Sequence, residues 1–108
     1  MSVVDIHEVK RYIDYHLREL STVGTLARQL NVSYETFRKC FLRHEHMPLA
    51  EYITRRKVEA MQEQLLMAHQ PCFYVCLEFG FREDTGAKIF KRVTGMTMRQ
   101  FRKKKMAA

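Results

Sequence analysis

Two thiols and two imidazoles are the side chains of this sequence whose spacing invites a chemical reading. Cys72-x-x-x-Cys76 sets its thiols one helical turn apart, a pattern open to metal or redox chemistry, and His44-x-His46 offers two ring nitrogens close together. Neither pattern is complete. A zinc site wants three or four ligands, and none stands beside His44 and His46, which read as a solvated loop. A reactive thiol wants a base or a cationic neighbour, and no His or Asp constellation serves Cys72 or Cys76. Both cysteines fall on the apolar face of a predicted helix, where a free Cys packs as a small hydrophobe. Three cysteines in all, an odd number, also argue against a disulfide framework. The sequence therefore predicts no catalytic residue, no metal and no cofactor.

Recognition chemistry is better supplied. In the stretch Asn31-Val32-Ser33-Tyr34-Glu35-Thr36-Phe37-Arg38-Lys39-Cys40-Phe41, Phe37, Cys40 and Phe41 recur at helical spacing. Ser33 is a good N-cap for that helix, because its hydroxyl can accept from a first-turn amide. Tyr34, Glu35, Arg38 and Lys39 are left on another face, all long or hydrogen-bonding. Arg and Lys donate to guanine edges in a DNA major groove, and a carboxylate accepts from cytosine N4. Glu35 has two readings, as such an acceptor or as a brace that also complements the helix dipole.

The elements that position this face follow from periodicity. Asp5-x-x-Glu8 resembles a capping box, and Ile6, Val9, Ile13, Leu17 and Leu20 form one stripe, predicting a first helix from Asp5 to Leu20. Ser21-Thr22 breaks it, and Thr22 caps a second helix over 23–30, in which Gly24 is tolerable. Leu26, Ala27 and Leu30 make its apolar stripe, with small Ala27 at the crossing and Asn31-Val32 as a tight turn. A helix-turn-helix results, its second helix ending near Arg43. Pro48 opens a long helix to Met67, rich in strong helix formers and roughly 30 Å long at about 1.5 Å per residue. Pro71 restarts the pattern. Val75, Cys76 and Phe79 repeat the roles of Leu26, Ala27 and Leu30, with Gly80-Phe81 as the turn. A further helix carries Ile89, Phe90 and Val93 and stops at Gly95. Thr97-Met98-Arg99-Gln100 is a capping box for a last helix bearing Phe101. Met61, Met67, Met96 and Met98 read as core and gap fillers. The expectation is an all-α fold of about seven helices: two helix-turn-helix units over 1–47 and 69–108, joined by a linker helix over 48–68.

Composition agrees with a binding module. The chain has 108 residues, enough for one domain or two small lobes, and a formal net charge of +7 that predicts an acidic partner. From Thr85 onward Lys88, Lys91, Arg92, Arg99, Arg102, Lys103, Lys104 and Lys105 meet no acidic residue. Arg102–Lys105 reads either as a solvated tail or as a phosphate contact. No apolar run reaches membrane-spanning length, and the N-terminus lacks a signal-peptide pattern, so no membrane partner and a cytoplasmic location are expected.

Tyr52-Ile53-Thr54-Arg55-Arg56-Lys57, Gln70-Pro71, Phe79-Gly80-Phe81, Phe90-Lys91-Arg92, Gly95 and Phe101-Arg102 resemble the AraC/XylS family of bacterial transcription regulators. The resemblance runs from about residue 5 to 103, at the length of the short stand-alone members. It implies a monomeric, non-enzymatic activator at the nucleoid, with double-stranded DNA and RNA polymerase as partners. Two recognition helices would occupy successive major grooves, which recur about every 34–36 Å along one face of DNA. The implied contacts of the first unit are Tyr34, Glu35, Arg38 and Lys39, with Thr36 nearer the backbone and Arg43 at the helix end. Those of the second are Arg82, Thr85, Lys88, Lys91 and Arg92. Tyr52 and Ile53 would anchor the linker in the core. The sequence also departs from the family pattern. His46 stands for a usual glycine, Met98 for a proline and Cys76 for a small residue. One residue is missing between Gly80 and Phe90, so Gly86 or Ala87 falls where a bulky core residue is usual, and the second recognition helix is expected to be short. Two rival readings are a thiol-based alkyl-acceptor or redox protein, and a helical adaptor that holds a protein partner and binds DNA weakly.

Overall fold

In a computed structural model that describes residues 5–18, 28, 33–67 and 69–106, every regular element among the described residues is a helix. Six run in order: α1 (Ile6–Tyr15), α2 (Tyr34–Glu45), α3 (Leu49–Met67), α4 (Cys72–Glu78), α5 (Glu83–Thr94) and α6 (Met98–Met106). Apart from residue 28, which is helical, the expected helix over 23–30, with Thr22, Leu26, Ala27 and Leu30, and the Asn31-Val32 turn lie outside the described residues. The chain divides into two units, Met1–Ile53 and Thr54–Ala108.

In the first unit Asp5 Oδ1 accepts from the amides of His7 (3.0 Å) and Glu8 (3.4 Å), which starts α1. Ile6, Val9 and Ile13 form its buried stripe. The helix stops at Tyr15 rather than reaching Leu20. The His16 amide is shared between the Tyr12 and Ile13 carbonyls, and its ring Nδ1 also sits 3.0 Å from the Tyr12 oxygen. The ring stacks on Tyr12 at 4.1 Å, which holds the residue out of helical register. Leu17 is still buried, as the stripe required.

Ser33 caps α2 as expected, its Oγ accepting from the Thr36 amide at 3.2 Å. Phe37 and Phe41 are fully buried below the helix. The helix continues to Glu45, so His44 lies on its last turn and not in a loop. His46 closes it at φ 58, donating its amide to the Leu42 carbonyl at 2.8 Å. That left-handed conformation explains why a glycine is usual there, since an L side chain resists it. Lys10 Nζ on α1 bonds Glu45 Oε1 at 2.7 Å and lies 5.7 Å from the Tyr52 ring centre, and Tyr52 meets Phe41 edge-on at 5.3 Å. Tyr52 is half-buried and Ile53 buried, the anchoring expected of them.

In the second unit Val58, Met61, Leu65, Val75, Cys76, Phe79, Phe90, Met98 and Phe101 are buried. Met61 and Met98 thus fill the core as expected, but Met67 is 85% exposed at the end of α3. The α4–α5 turn is a Schellman closure. The Phe81 amide donates to the Cys76 carbonyl and the Gly80 amide to that of Leu77, both at 3.0 Å. Gly80 takes φ 81, the conformation the turn demands. α5 has 12 residues, as many as α2, so it is not short. The length survives because Gly86 is buried against α4. A Cβ there would lie 2.7 Å from Cys76 Sγ and 3.1 Å from Phe81 Cβ. At this crossing the small residue has changed sides, from position 76 to position 86, while Ala87 is exposed. The capping box of α6 is complete: Thr97 N–H donates to Gln100 Oε1 at 2.9 Å and Gln100 N–H to Thr97 Oγ1 at 3.1 Å.

Candidate nucleic-acid interface

Two short helices carry the polar side chains singled out from sequence. On α2, Ser33 Oγ also donates to Thr36 Oγ1 at 2.7 Å, which holds Thr36 at the helix start. Tyr34, Glu35 and Lys39 are exposed and Arg38 partly so. Glu35 Oε2 lies 3.3 Å from Arg38 Nη2 and 4.0 Å from Lys39 Nζ, so the carboxylate braces both cations. Surface pairs of this kind are worth little in stability, but they bias where the two side chains point. Of the two readings of Glu35, the geometry supports the brace. Arg43 is exposed one turn on.

Arg82, the N-cap residue of α5, and Thr85, Lys88, Lys91 and Arg92 on the helix are all exposed, with spacings of three and four that put most of them on one side. Glu83 and Asp84 occupy its first turn, where negative charge complements the helix dipole. Asp84 Oδ1 accepts from the Thr85 amide at 2.9 Å and draws Arg82 Nε to 3.9 Å. Each helix thus presents donors and cations on a face whose reverse side is packed into its own unit. That arrangement suits a polyanion with hydrogen-bonding edges.

Two residues matter that the spacing argument passed over. Lys57 is 5% exposed, and its Nζ donates to the Phe79 carbonyl at 2.9 Å and sits 5.1 Å from the Phe81 ring centre. It holds the turn that aims α5, and burial pushes its ammonium pKa down. The signal was present: Ile53, Lys57 and Met61 fall four apart on one buried stripe. Arg102 is not a tail residue. Its Nε donates to the Leu65 carbonyl at 3.0 Å, in the last turn of α3, and its Nη2 to that of Gln70 at 2.7 Å, in the segment that leads to α4. Lys103, Lys104 and Lys105 are exposed.

The groups first considered for catalysis are differently placed. Cys76 is fully buried, and burial above all, then the charges of Cys72 and Glu83, raises its thiol pKa. A thiol so placed is a poor nucleophile. His44 Nδ1 contacts Glu45 Oε2 at 2.9 Å. Among the described residues no group of three His, Cys, Asp or Glu side chains could hold a metal, and no helix is long and apolar enough to cross a membrane.

Comparison with known proteins places this geometry. A family model described as a helix-turn-helix domain matches residues 26–104. The DNA-binding domain of AdpA, a global transcriptional factor solved in complex with a target DNA, is similar in structure. Its TM-score is 0.87 at 23% identity, over 94% of this chain and 93% of that one. The C-terminal domain of AraT, a response regulator from Geobacillus stearothermophilus, gives 0.85 at 22% identity, over 92% and 84%. A transcriptional regulator from Chromobacterium violaceum with an AraC-type DNA-binding domain gives 0.83 at 14%, over 91% and 88%.

Proposed function

Because the chain belongs to this helix-turn-helix family, that of the AraC/XylS transcription regulators, we propose that it is a sequence-specific double-stranded DNA-binding regulator that activates transcription. The exposed polar face of α2 carries this conclusion. Tyr34, Arg38 and Lys39 stand on a helix capped by Ser33 and anchored by Phe37 and Phe41, so they can meet base edges from a fixed support. α5 enters a second, successive major groove, and α3 is the connection between the two units. The chain binds as a monomer in the cytoplasm, at the nucleoid, and meets RNA polymerase there. The AdpA domain, solved on a target DNA, supports the use of such a fold on duplex.

No bond is made or broken. Lys and Arg displace counterions from phosphates, and hydrogen bonds from α2 select sequence. Arg82, Thr85, Lys88, Lys91 and Arg92 of α5 mainly hold the backbone.

Selection of bound sequences from a random duplex pool, followed by footprinting, tests the proposal. The expected footprint is asymmetric and about two turns long, since two unlike units have no use for a palindrome. A two-fold symmetric footprint occupied by a stable dimer contradicts the monomer. Enrichment of no sequence, with retention of a protein partner, points to the adaptor reading instead.

A further inference from the structure

α6 carries no acid, and on one side its cations border apolar surface. Residues of α4, α5 and α6 line a surface groove of about 880 Å³ in the second unit. Phe73 of α4, Ala87 of α5 and Met98 of α6 give it apolar walls, and Arg99 and Lys103 of α6, one turn apart, stand at its rim. Both cations are exposed, and the one acid among the described lining residues is Glu83. Arg102 adds a third positive charge, its guanidinium held by the Leu65 and Gln70 carbonyls. The apolar surface continues beyond the groove. Phe73 is 46% exposed, and Leu77, one turn on along the same side of α4, is 58% exposed.

Glu83 and Ala87 face the groove from α5. At about 100° per residue they lie about 150° round the helix from the mean direction of Thr85, Lys88 and Arg92. The groove is thus on the side of α5 remote from the residues proposed to meet duplex. That it stays open on DNA rests on that proposed use of α5.

We infer that this groove docks an amphipathic helix of a partner protein, one that sets Asp or Glu beside large apolar side chains. The rim is cationic, so its complement is acidic. Phe73 and Leu77 present apolar surface one turn apart, which matches a helix laid in a groove with apolar anchors at i and i+4. The described residues form no strand, so an extended peptide finds no sheet edge to join. Contiguous exposed apolar surface rimmed by charge marks a protein contact. A phosphate backbone would use the cations and leave the apolar walls wet.

Selection from phage-displayed random linear peptides on the whole chain, without DNA, followed by titration of the enriched peptide, tests the inference. The enriched peptides should carry Asp or Glu with Leu, Phe or Met at helical spacing. Phe73→Ala, Arg99→Glu and Lys103→Glu should each bind the peptide about tenfold or more weakly than wild type. All three positions are exposed, so the fold should stand, and a thermal melt of each variant checks it. Arg11→Glu, the same charge change at an exposed position of α1, should bind the peptide as wild type does. The inference is overturned if no acidic amphipathic peptide is enriched, or if all these variants bind it alike. It is equally overturned if Arg99→Glu and Lys103→Glu keep the peptide and weaken duplex binding more than Arg11→Glu does, since the cations then serve phosphates. Peptide binding is read without DNA, so its failure leaves the proposed DNA binding standing, and the reverse holds.

Discussion

An alanine at position 86 would bring its Cβ within 2.7 Å of Cys76 Sγ and 3.0 Å of Cys76 Cβ. Two effects then oppose each other. Replacing a mid-helix glycine returns about 1 kcal/mol of helix propensity, whereas overpacking a buried site costs about 1–3 kcal/mol. The second should win, because Cys76 is fully buried and has no flexible end to move aside. Gly86→Ala should therefore lower the urea midpoint, and Cys76→Ala in the same chain should restore most of the loss by removing the nearest atom. A double-mutant cycle reads the coupling; additive single effects would mean that the two residues do not share the crossing. This exchange of a small residue between facing helices was half legible in the sequence. Cys76 could be seen as too large for its place, but the partner that yields to it sits ten positions on. The same limit hid the contact of Met98 with Cys76, since only the folded chain brings the two sulfurs within 3.8 Å.

In the first unit the ion pair between Lys10 and Glu45 fastens α1 to the end of α2. The hydrogen bond from Lys10, then that with His44, holds the Glu45 carboxyl below its ordinary 4.5. Its contribution is therefore present above that pH and lost as pH falls through the depressed folded value. Lys10 is raised above 10.5, chiefly by Glu45, so its share is present below that pH and lost as pH rises through the raised value. Chemical denaturation of Glu45→Gln against wild type across pH should show a gap at neutral pH that closes in acid. An equal gap at every pH would assign the loss to packing alone. Elements of this kind were mostly readable where a cap announces them. Ser33, Thr97 with Gln100, Pro71 and Gly95 each mark the boundary they were expected to mark. Prediction failed where a tertiary or side-chain contact overrides propensity. α1 ends early because His16 binds back to Tyr12, and α5 keeps its full length because Gly86 packs against Cys76. Lys57 shares a stripe with Ile53 and Met61, but the Phe79 carbonyl that it bonds stands 22 positions on and only the fold brings it there.

At the scale of the whole molecule, charge and its placement set the behaviour. A net charge of +7 with an acid-free stretch from Thr85 onward supplies a strong, salt-sensitive attraction to any duplex. Specificity must come from elsewhere, and α2 is where fixed side chains are available. Its exposed polar face was legible because the buried positions Phe37 and Phe41 and the cap at Ser33 leave few choices for the remaining residues. Whether Glu35 reads or braces was not legible, because that depends on its distance from Arg38 and Lys39. The division of labour between the units is tested by equilibrium binding of wild type, Lys39→Ala and Lys91→Ala to the selected site and to random duplex across a salt series. Lys39→Ala should cost about 1–3 kcal/mol on the selected site and narrow the gap to random duplex. Lys91→Ala should weaken both duplexes alike and reduce the salt slope by about one unit. Loss of sequence preference in Lys91→Ala, with preference intact in Lys39→Ala, would contradict the account.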